Sequence, residues 1–193
     1  MFALSAGVAT ARRTALIAVA ALLGLLAAVL ATPAAAHAAP ARHHRSAHHR
    51  AHKLTQDQVI ADSLLTMLNK ERHAHNLKPL TMSKDLVKSA HVHNEWMAKT
   101  NVMSHQEAGE PGLANRISKA GYKWSWAGEN IGWNSAMTKS GVLQLESLMY
   151  HEKAPNDGHR LNILNKHFRN IGVDVLMDKK HNRVWLTTDF GCH

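Results

Sequence analysis

Gly128-Glu129-Asn130-Ile131-Gly132, then Glu152, then Asp157-Gly158-His159-Arg160-Leu161-Asn162-Ile163-Leu164, and finally Ile171-Gly172-Val173 and Thr188-Asp189-Phe190-Gly191 carry the most informative residues of this 193-residue chain. They set carboxylates and an imidazole among glycines and beside Pro155, residues that bend the backbone or let it approach other groups closely. Around them two runs alternate with period two: Ile171, Val173, Val175, Met177, and Val184, Leu186, Thr188, Phe190. The polar stretch 178–182 between these runs suits a hairpin loop. Residues 124–132 can supply a third strand.

Upstream of these strands the spacing is helical. Thr55-x-x-Gln58 forms a capping box ahead of Ile60, Leu64, Met67 and Leu68, predicting a helix that ends near Asn76. Ser83 caps a second helix with Leu86, Ala90, His93 and Met97 inward, running to about Thr100. Pro111-Gly112 opens a short third helix with Leu113 and Ile117 inward, stopping at Ala120-Gly121. A fourth, from Ser135 or Thr138 to Lys153, offers Val142, Leu145, Leu148 and Met149 as its apolar side and ends at Pro155. Helices preceding a small antiparallel sheet predict an α+β layered domain.

The first 38 residues contain two charges, Arg12 and Arg13, then an apolar run from Ala15 to Ala31 and small residues ending Ala36-His37-Ala38. That order predicts a secretory signal peptide cleaved after Ala38, leaving no stable membrane span. Residues 39–53 follow as a basic linker, in which 42–53 read RHHRSAHHRAHK: five histidines, four Lys or Arg, and no acid. Such a segment cannot build a core, but it can bind transition metals or lie on an anionic envelope polymer. Residues 54–193 are the expected domain. The formal charge of +9 includes six positive residues within 1–53, leaving +3 for the domain, with no basic stripe of the kind a nucleic-acid reader carries. Cys192 is the single cysteine, so no intramolecular disulfide forms and the core must hold itself together. Beside the terminal His193, its thiol is expected to be inert.

Four residues stand out as a site. Glu129 lies among glycines that free its carboxylate to approach other groups. Glu152, placed in the last turn of the fourth helix, would meet the negative carbonyl end of the helix dipole and so needs a positive partner. His159 can supply one if the turn 155–158 folds back. Two converging glutamates would raise at least one pKa unless a histidinium or divalent cation shares the space, so the site comprises two glutamates, two histidines and a proton or metal. Ser104-His105 supplies the second imidazole, although sequence neighbours seldom aim at each other, which weakens a serine-hydrolase assignment. His151-Glu152 lacks the i+4 histidine of zinc-protease helices. Paired glutamates could also serve glycoside hydrolysis, but the flanking histidines favour metal coordination or a polar cluster. His73 and His75, like His91 and His93, are two apart and cannot share an ion from one helix; they are expected to be surface or partly buried imidazoles. The five tryptophans are expected mostly in the core.

In this order, His105, Glu129-Asn130-Ile131, Glu152, Gly158-His159-Arg160-x-Asn162-Ile163-Leu164 and Thr188-Asp189-Phe190-Gly191 resemble the bacterial branch of the CAP superfamily, the SCP-domain proteins, over about Gln58 to Gly191. The resemblance implies a three-layer α-β-α sandwich with a small antiparallel sheet, and a cleft carrying the tetrad His105, Glu129, Glu152 and His159. It also implies zinc or another divalent cation there, as in several relatives. The disulfides of eukaryotic relatives are absent, and Arg160 to Leu164 replace their aromatic sequence, so lipid sites of those relatives do not transfer. Two functions follow. One is a secreted, extracellular or wall-associated module binding a metal, a small apolar ligand, or an envelope polymer or lipid. The other is a metal-dependent extracellular hydrolase, with Glu129 or Glu152 as general base.

Overall fold

Thr55 caps the first helix, α1 (Gln56–Ala74), through the anticipated box: the Gln58 amide donates to its hydroxyl at 3.2 Å, and the Thr55 amide donates to the Gln58 side chain at 2.8 Å. The computed structural model describes residues 54–193; the expected signal peptide and His-rich linker lie outside the described residues. Ile60, Leu64 and Leu68 face inward, and each such buried side chain contributes roughly 1.5–3 kcal/mol. The stripe continues into Arg72, which is fully buried. Its guanidinium donates to the carbonyls of Lys78, Ile163 and Asn165 at 2.9, 2.6 and 3.0 Å, tying the end of α1 to distant loops.

The remaining elements are β1 (Thr81–Met82), α2 (Lys84–Thr100), α3 (Leu113–Ala120), β2 (Trp126–Asn134), α4 (Lys139–Tyr150), α5 (Gly158–Ile163), β3 (Asn170–Asp178) and β4 (Arg183–Cys192). The sheet runs in the order β1-β3-β4-β2. Its two long pairings are antiparallel as expected, but β1 lies parallel to β3, so the sheet is mixed. Two residues carry no periodicity, and β1 therefore left no trace in the sequence pattern. The short helix α5 follows the expected turn 155–158 in a stretch too short to show helical periodicity.

Both faces of the sheet are covered. In β4, Val184, Leu186 and Phe190 join Ile171, Val173 and Val175 of β3 in one apolar core beneath α1 and α4. The intervening residues Trp185, Thr187 and Asp189 are equally buried and face the α2 layer, because successive strand residues point to opposite sides. That second interface combines apolar clusters, Leu86 with Ile117 and Tyr122 and Met97 with Ile131 and Trp185, with buried polar contacts. Asn94 of α2 donates to the Asp174 carboxylate at 2.7 Å and accepts from the Thr187 hydroxyl at 2.7 Å. Gly172 lets α2 settle onto β3, since a Cβ there would sit 2.0 Å from the Leu86 carbonyl carbon.

Several local expectations are corrected. The fourth helix ends at Tyr150, well before Pro155, and Glu152 lies beyond it. Leu148 is 64% exposed, while Glu146 is buried in its stead. Residues 142, 146 and 149 form the inward stripe because Glu146 is matched by Glu71 across the α1–α4 contact. Of the tryptophans, Trp185 alone is fully buried; Trp126 and Trp133 are 41% and 38% exposed, stacked on His167 and beneath Arg183 respectively. Cys192 is buried at the end of β4, 3.3 Å from the Ser125 hydroxyl.

Burial pushes the Glu71 carboxyl up to about 7, and burial together with the Glu71 charge pushes Glu146 well above its ordinary range. A raised folded-state pKa means the native state holds more protons than the unfolded chain, so this pair's contribution to stability falls as pH rises above the ordinary value of 4.5. Urea unfolding from about pH 5 to about pH 8 is therefore expected to show a decline in stability that is shallower in Glu146→Gln. Parallel profiles for the two proteins would refute this account.

Candidate functional site

Glu129 lies on β2, the outer strand of the sheet, directly opposite Asp189 of β4. Its side chain points into the α2–α3 layer, where both carboxylate oxygens are occupied. His105 Nδ1 donates to Oε1 at 2.8 Å, and Arg116 of α3 donates to Oε2. Arg116 also lies 3.3 Å from Glu110 Oε1, to which the buried His93 donates from Nδ1 at 2.7 Å. Nε2 of the same ring is 3.8 Å from Glu129. The result is a chain of alternating donors and acceptors, His105–Glu129–Arg116–Glu110–His93, closed beneath by Asp189.

The electrostatics follow from this order. Burial pushes the Glu129 carboxyl up, but the hydrogen bond from His105 and the charges of His93, Arg116 and His105 outweigh it and hold the group below the usual range. Burial, then the nearby charge of Glu129, pushes Asp189 well above that range. The two facing carboxyl groups are thus pushed in opposite directions.

Glu152 is built differently. Beyond the end of α4 its carboxylate turns to the start of α5, where it accepts from the amides of His159 and Arg160 at 3.0 and 3.4 Å. The α5 N-cap, Asp157, makes no side-chain capping bond, so Glu152 supplies the anion that the first turn of that helix favours. A residue expected at an unfavourable carbonyl end thus sits at a favourable amide end. The anticipated fold-back is present: His159 Nδ1 donates to Glu152 Oε1 at 2.5 Å.

Asparagines join the two His–Glu pairs. Asn130 follows Glu129 on β2 and points to the other face, where its amide donates to the His159 carbonyl at 3.1 Å. Asn162 of α5 donates to the Asn130 side chain at 2.8 Å and to the Glu129 carbonyl at 3.1 Å. Gly128 makes room for this junction, since a Cβ there would lie 2.9 Å from Asn162 Oδ1. The motif residues around the tetrad therefore act as stitching between β2 and α5.

The four tetrad residues form two pairs, each a histidine whose Nδ1 is engaged by a glutamate. A carboxylate only accepts, so each Nδ1 is the donor, and in a neutral ring Nε2 would carry the lone pair. Both rings reach solvent, with 43% of the His105 and 26% of the His159 side-chain surface exposed. Among the described residues, no group of three or more His, Cys, Asp and Glu side chains is placed to hold a metal ion. Ser104 donates to the Gln106 carbonyl and takes no part.

His93, expected at the surface or partly buried, is wholly buried, and Glu110, Arg116 and Asp189 are joined to the site by the fold alone. The available signal was the inward helical position of His93 beside Leu86, Ala90 and Met97. Nothing in its spacing named the partner.

Residues 65–190 match the family described as CAP, the cysteine-rich secretory protein family. The Bacillus subtilis (strain 168) protein YkwD is 30% identical over 110 residues, covering 57% of this chain and 40% of YkwD. An extracellular protein containing an SCP domain from Bacillus anthracis superposes with a TM-score of 0.60 at 26% identity, covering 74% of this chain and 45% of that one. An outer surface protein from Borrelia burgdorferi gives the same TM-score at 17% identity, covering 72% of this chain and 96% of that one, a likeness of fold. The chain spans less than half the length of YkwD and of the Bacillus anthracis protein. Matched over most of its length and built as an α-β-α sandwich with His–Glu pairs at its outer strand, the chain belongs to the bacterial branch of the CAP family.

Proposed function

We propose that the protein is an exported binding module whose tetrad takes a divalent cation, zinc being the natural probe, and through it a ligand of the cell envelope. The observation that carries this is the bonding pattern common to the two imidazoles: each spends Nδ1 on a glutamate and leaves Nε2 for a ligand. Carboxylates behind metal-binding histidines fix the ring and raise its basicity. His105 and His159 would hold the ion, with Glu129 and Glu152 behind them, and water or the ligand would complete its coordination. Bound there, a cation would supply a Lewis-acid centre for anionic or carbonyl groups. Export is supported by the sequence of residues 1–38 and by relatives named as extracellular or outer surface proteins.

The hydrolase alternative is less well supported. It needs a glutamate free to take a proton, but the Glu129 oxygens are engaged by His105 and Arg116, and those of Glu152 by His159 and two backbone amides.

Zinc titration of the full chain by calorimetry tests the proposal against two variants. Glu152→Gln is expected to weaken binding by about 10–100-fold, the effect typical of removing an orienting carboxylate. Replacing the five histidines of residues 42–53 by serine should leave the cleft's binding in place. Binding unaffected by Glu152→Gln and abolished by the serine replacements would assign the metal to the linker and refute a tetrad site.

A further inference from the structure

At one end of the sheet Thr81 of β1, Asn170 of β3, Gly191 of β4 and Ala127 of β2 lie side by side in register. Backbone bonds tie the flanking loops to this row: the Thr81 amide donates to the Arg169 carbonyl at 2.9 Å, and the Arg169 amide to the Gly191 carbonyl at 3.0 Å. The Ser125 amide donates to the Cys192 carbonyl at 2.8 Å, and His193 Nδ1 to the Lys123 carbonyl at 2.5 Å. Trp126 stacks on His167 with ring centres 4.5 Å apart. Four stretches far apart in the chain, 72–82, 117–127, 163–170 and 190–193, are gathered here.

Those stretches contain Arg72, Lys78, Lys119, Lys123, Lys166 and Arg169, and no Asp or Glu. The formal +3 of residues 54–193 thus divides into +6 at this end and −3 over the rest. No basic stripe is visible along the sequence because these cations are scattered through it; the fold assembles one. Lys78, Lys123, Lys166 and Arg169 are exposed. Among the described residues the ion pairs lie elsewhere, on His91, His93, His105, Arg116, His159 and His181. Two acids border this end: Asp85 of α2, beside Gly121, and the carboxylate at His193, the last residue of the sequence. Beneath the 163–169 loop, the buried Arg72 adds to the field while bonding only to carbonyls, those of Lys78, Ile163, Asn165 and Phe168. Burial, then the charge of Arg169, holds its guanidinium below its ordinary pKa, a repulsion that an anion over the loop would relieve.

We propose that this end of the sheet is a docking surface for a linear phosphodiester polymer that carries no bases. Charge of one sign along a row of four strands, roughly 14 Å wide, suits a repeating anion that releases counterions at each contact. The apolar surface selects among polyanions. Single-stranded nucleic acid is held by bases stacked on aromatic side chains, and a bilayer by apolar and aromatic groups inserted at its interface. Within the four stretches Trp126 is the exposed large hydrophobic residue, and one of its faces is taken by His167. The contacts this end offers are therefore chiefly to phosphate. It shares no residue with the His–Glu tetrad.

Calorimetry of the full chain with poly(glycerol phosphate), with chelator present so that the tetrad metal takes no part, tests the proposal. At low salt Lys123→Gln with Lys166→Gln is expected to weaken binding by about tenfold and to flatten its salt dependence. Lys179→Gln with Lys180→Gln makes the same charge change on exposed residues of the β3–β4 hairpin, at the opposite end of the sheet, and should alter binding by less than about twofold. The tenfold effect should persist in a chain with serine at Arg42, Arg45, Arg50 and Lys53, which removes the basic linker as a source of binding. Equal losses from the two lysine pairs would overturn the proposal, since binding would then follow net charge alone. Binding abolished by the serine replacements would overturn it too, as would no binding by the wild type. Tighter binding of a thymidine oligonucleotide, or of phosphatidylglycerol vesicles, than of the polymer would overturn the choice of partner.

Discussion

Arg116→Ala is expected to cost the fold about 3–5 kcal/mol, because it removes the guanidinium that bridges two buried carboxylates. The loss is not that of a surface ion pair, whose worth is about 0–1 kcal/mol. Glu110 and Glu129 would remain inside, each still held by one histidine but short of the charge that makes their burial tolerable. Arg116→Lys should fall between the two, since a lysine keeps the charge but not the planar fork that reaches both acids. The deficit should also depend on pH. In the wild type Glu129 is held below its ordinary pKa, so its contribution is present at neutral pH and is lost as pH falls through the folded-state value. Without Arg116 that contribution shrinks, and the gap between the proteins should narrow toward acid. Urea unfolding at about pH 7 and about pH 4 measures both effects. A neutral-pH loss below about 1 kcal/mol would remove Arg116 from the role assigned to it.

Gly172→Ala is expected to be comparably damaging for a purely steric reason. Its Cβ would lie 2.0 Å from the Leu86 carbonyl carbon and 2.2 Å from the Val87 nitrogen, both in the backbone of α2. No rotamer change relieves such a contact, so the helix must withdraw from the sheet. Doing so would strain the bonds of Asn94 to Asp174 and Thr187. Overpacking commonly costs about 1–3 kcal/mol, and contact with backbone puts this case at or above the upper end. Gly132→Ala is the matched control. There the new Cβ meets the end of the Met149 side chain at 3.0 Å, a flexible group that can move, and a cost within about 1 kcal/mol is expected. Equal stability of the two variants would refute the close-packing account.

How much of this was legible beforehand depended on the range over which each residue acts. Helices α1, α2 and α3 announce themselves through Thr55, Ser83 and Gly112 and through apolar spacing, because capping and periodicity are local. The β3–β4 hairpin does so for the same reason. The alternation in β4 disclosed one buried face, through Val184, Leu186 and Phe190, and concealed the other. Trp185, Thr187 and Asp189 are interior because a second layer of helices covers them. Glu146 shows the limit from the opposite side: a glutamate on a helix reads as solvent-facing, and only its juxtaposition with Glu71 reveals a carboxyl pair whose burial pushes both groups above the ordinary range.

By itself the sequence determined the family and the layered α+β architecture and singled out His105, Glu129, Glu152 and His159 as candidates, since these rest on local pattern and motif order. Only the tertiary structure decided what those residues do to one another. It paired His105 with Glu129 across 24 positions and moved Glu152 from the end of one helix to the start of the next. It also joined His93, Glu110 and Arg116 to them through contacts of no fixed spacing. The physical reason is that charge pairing and desolvation act through space. Their partners are chosen by which elements the sheet and helices bring together, and no local pattern along the chain encodes that choice.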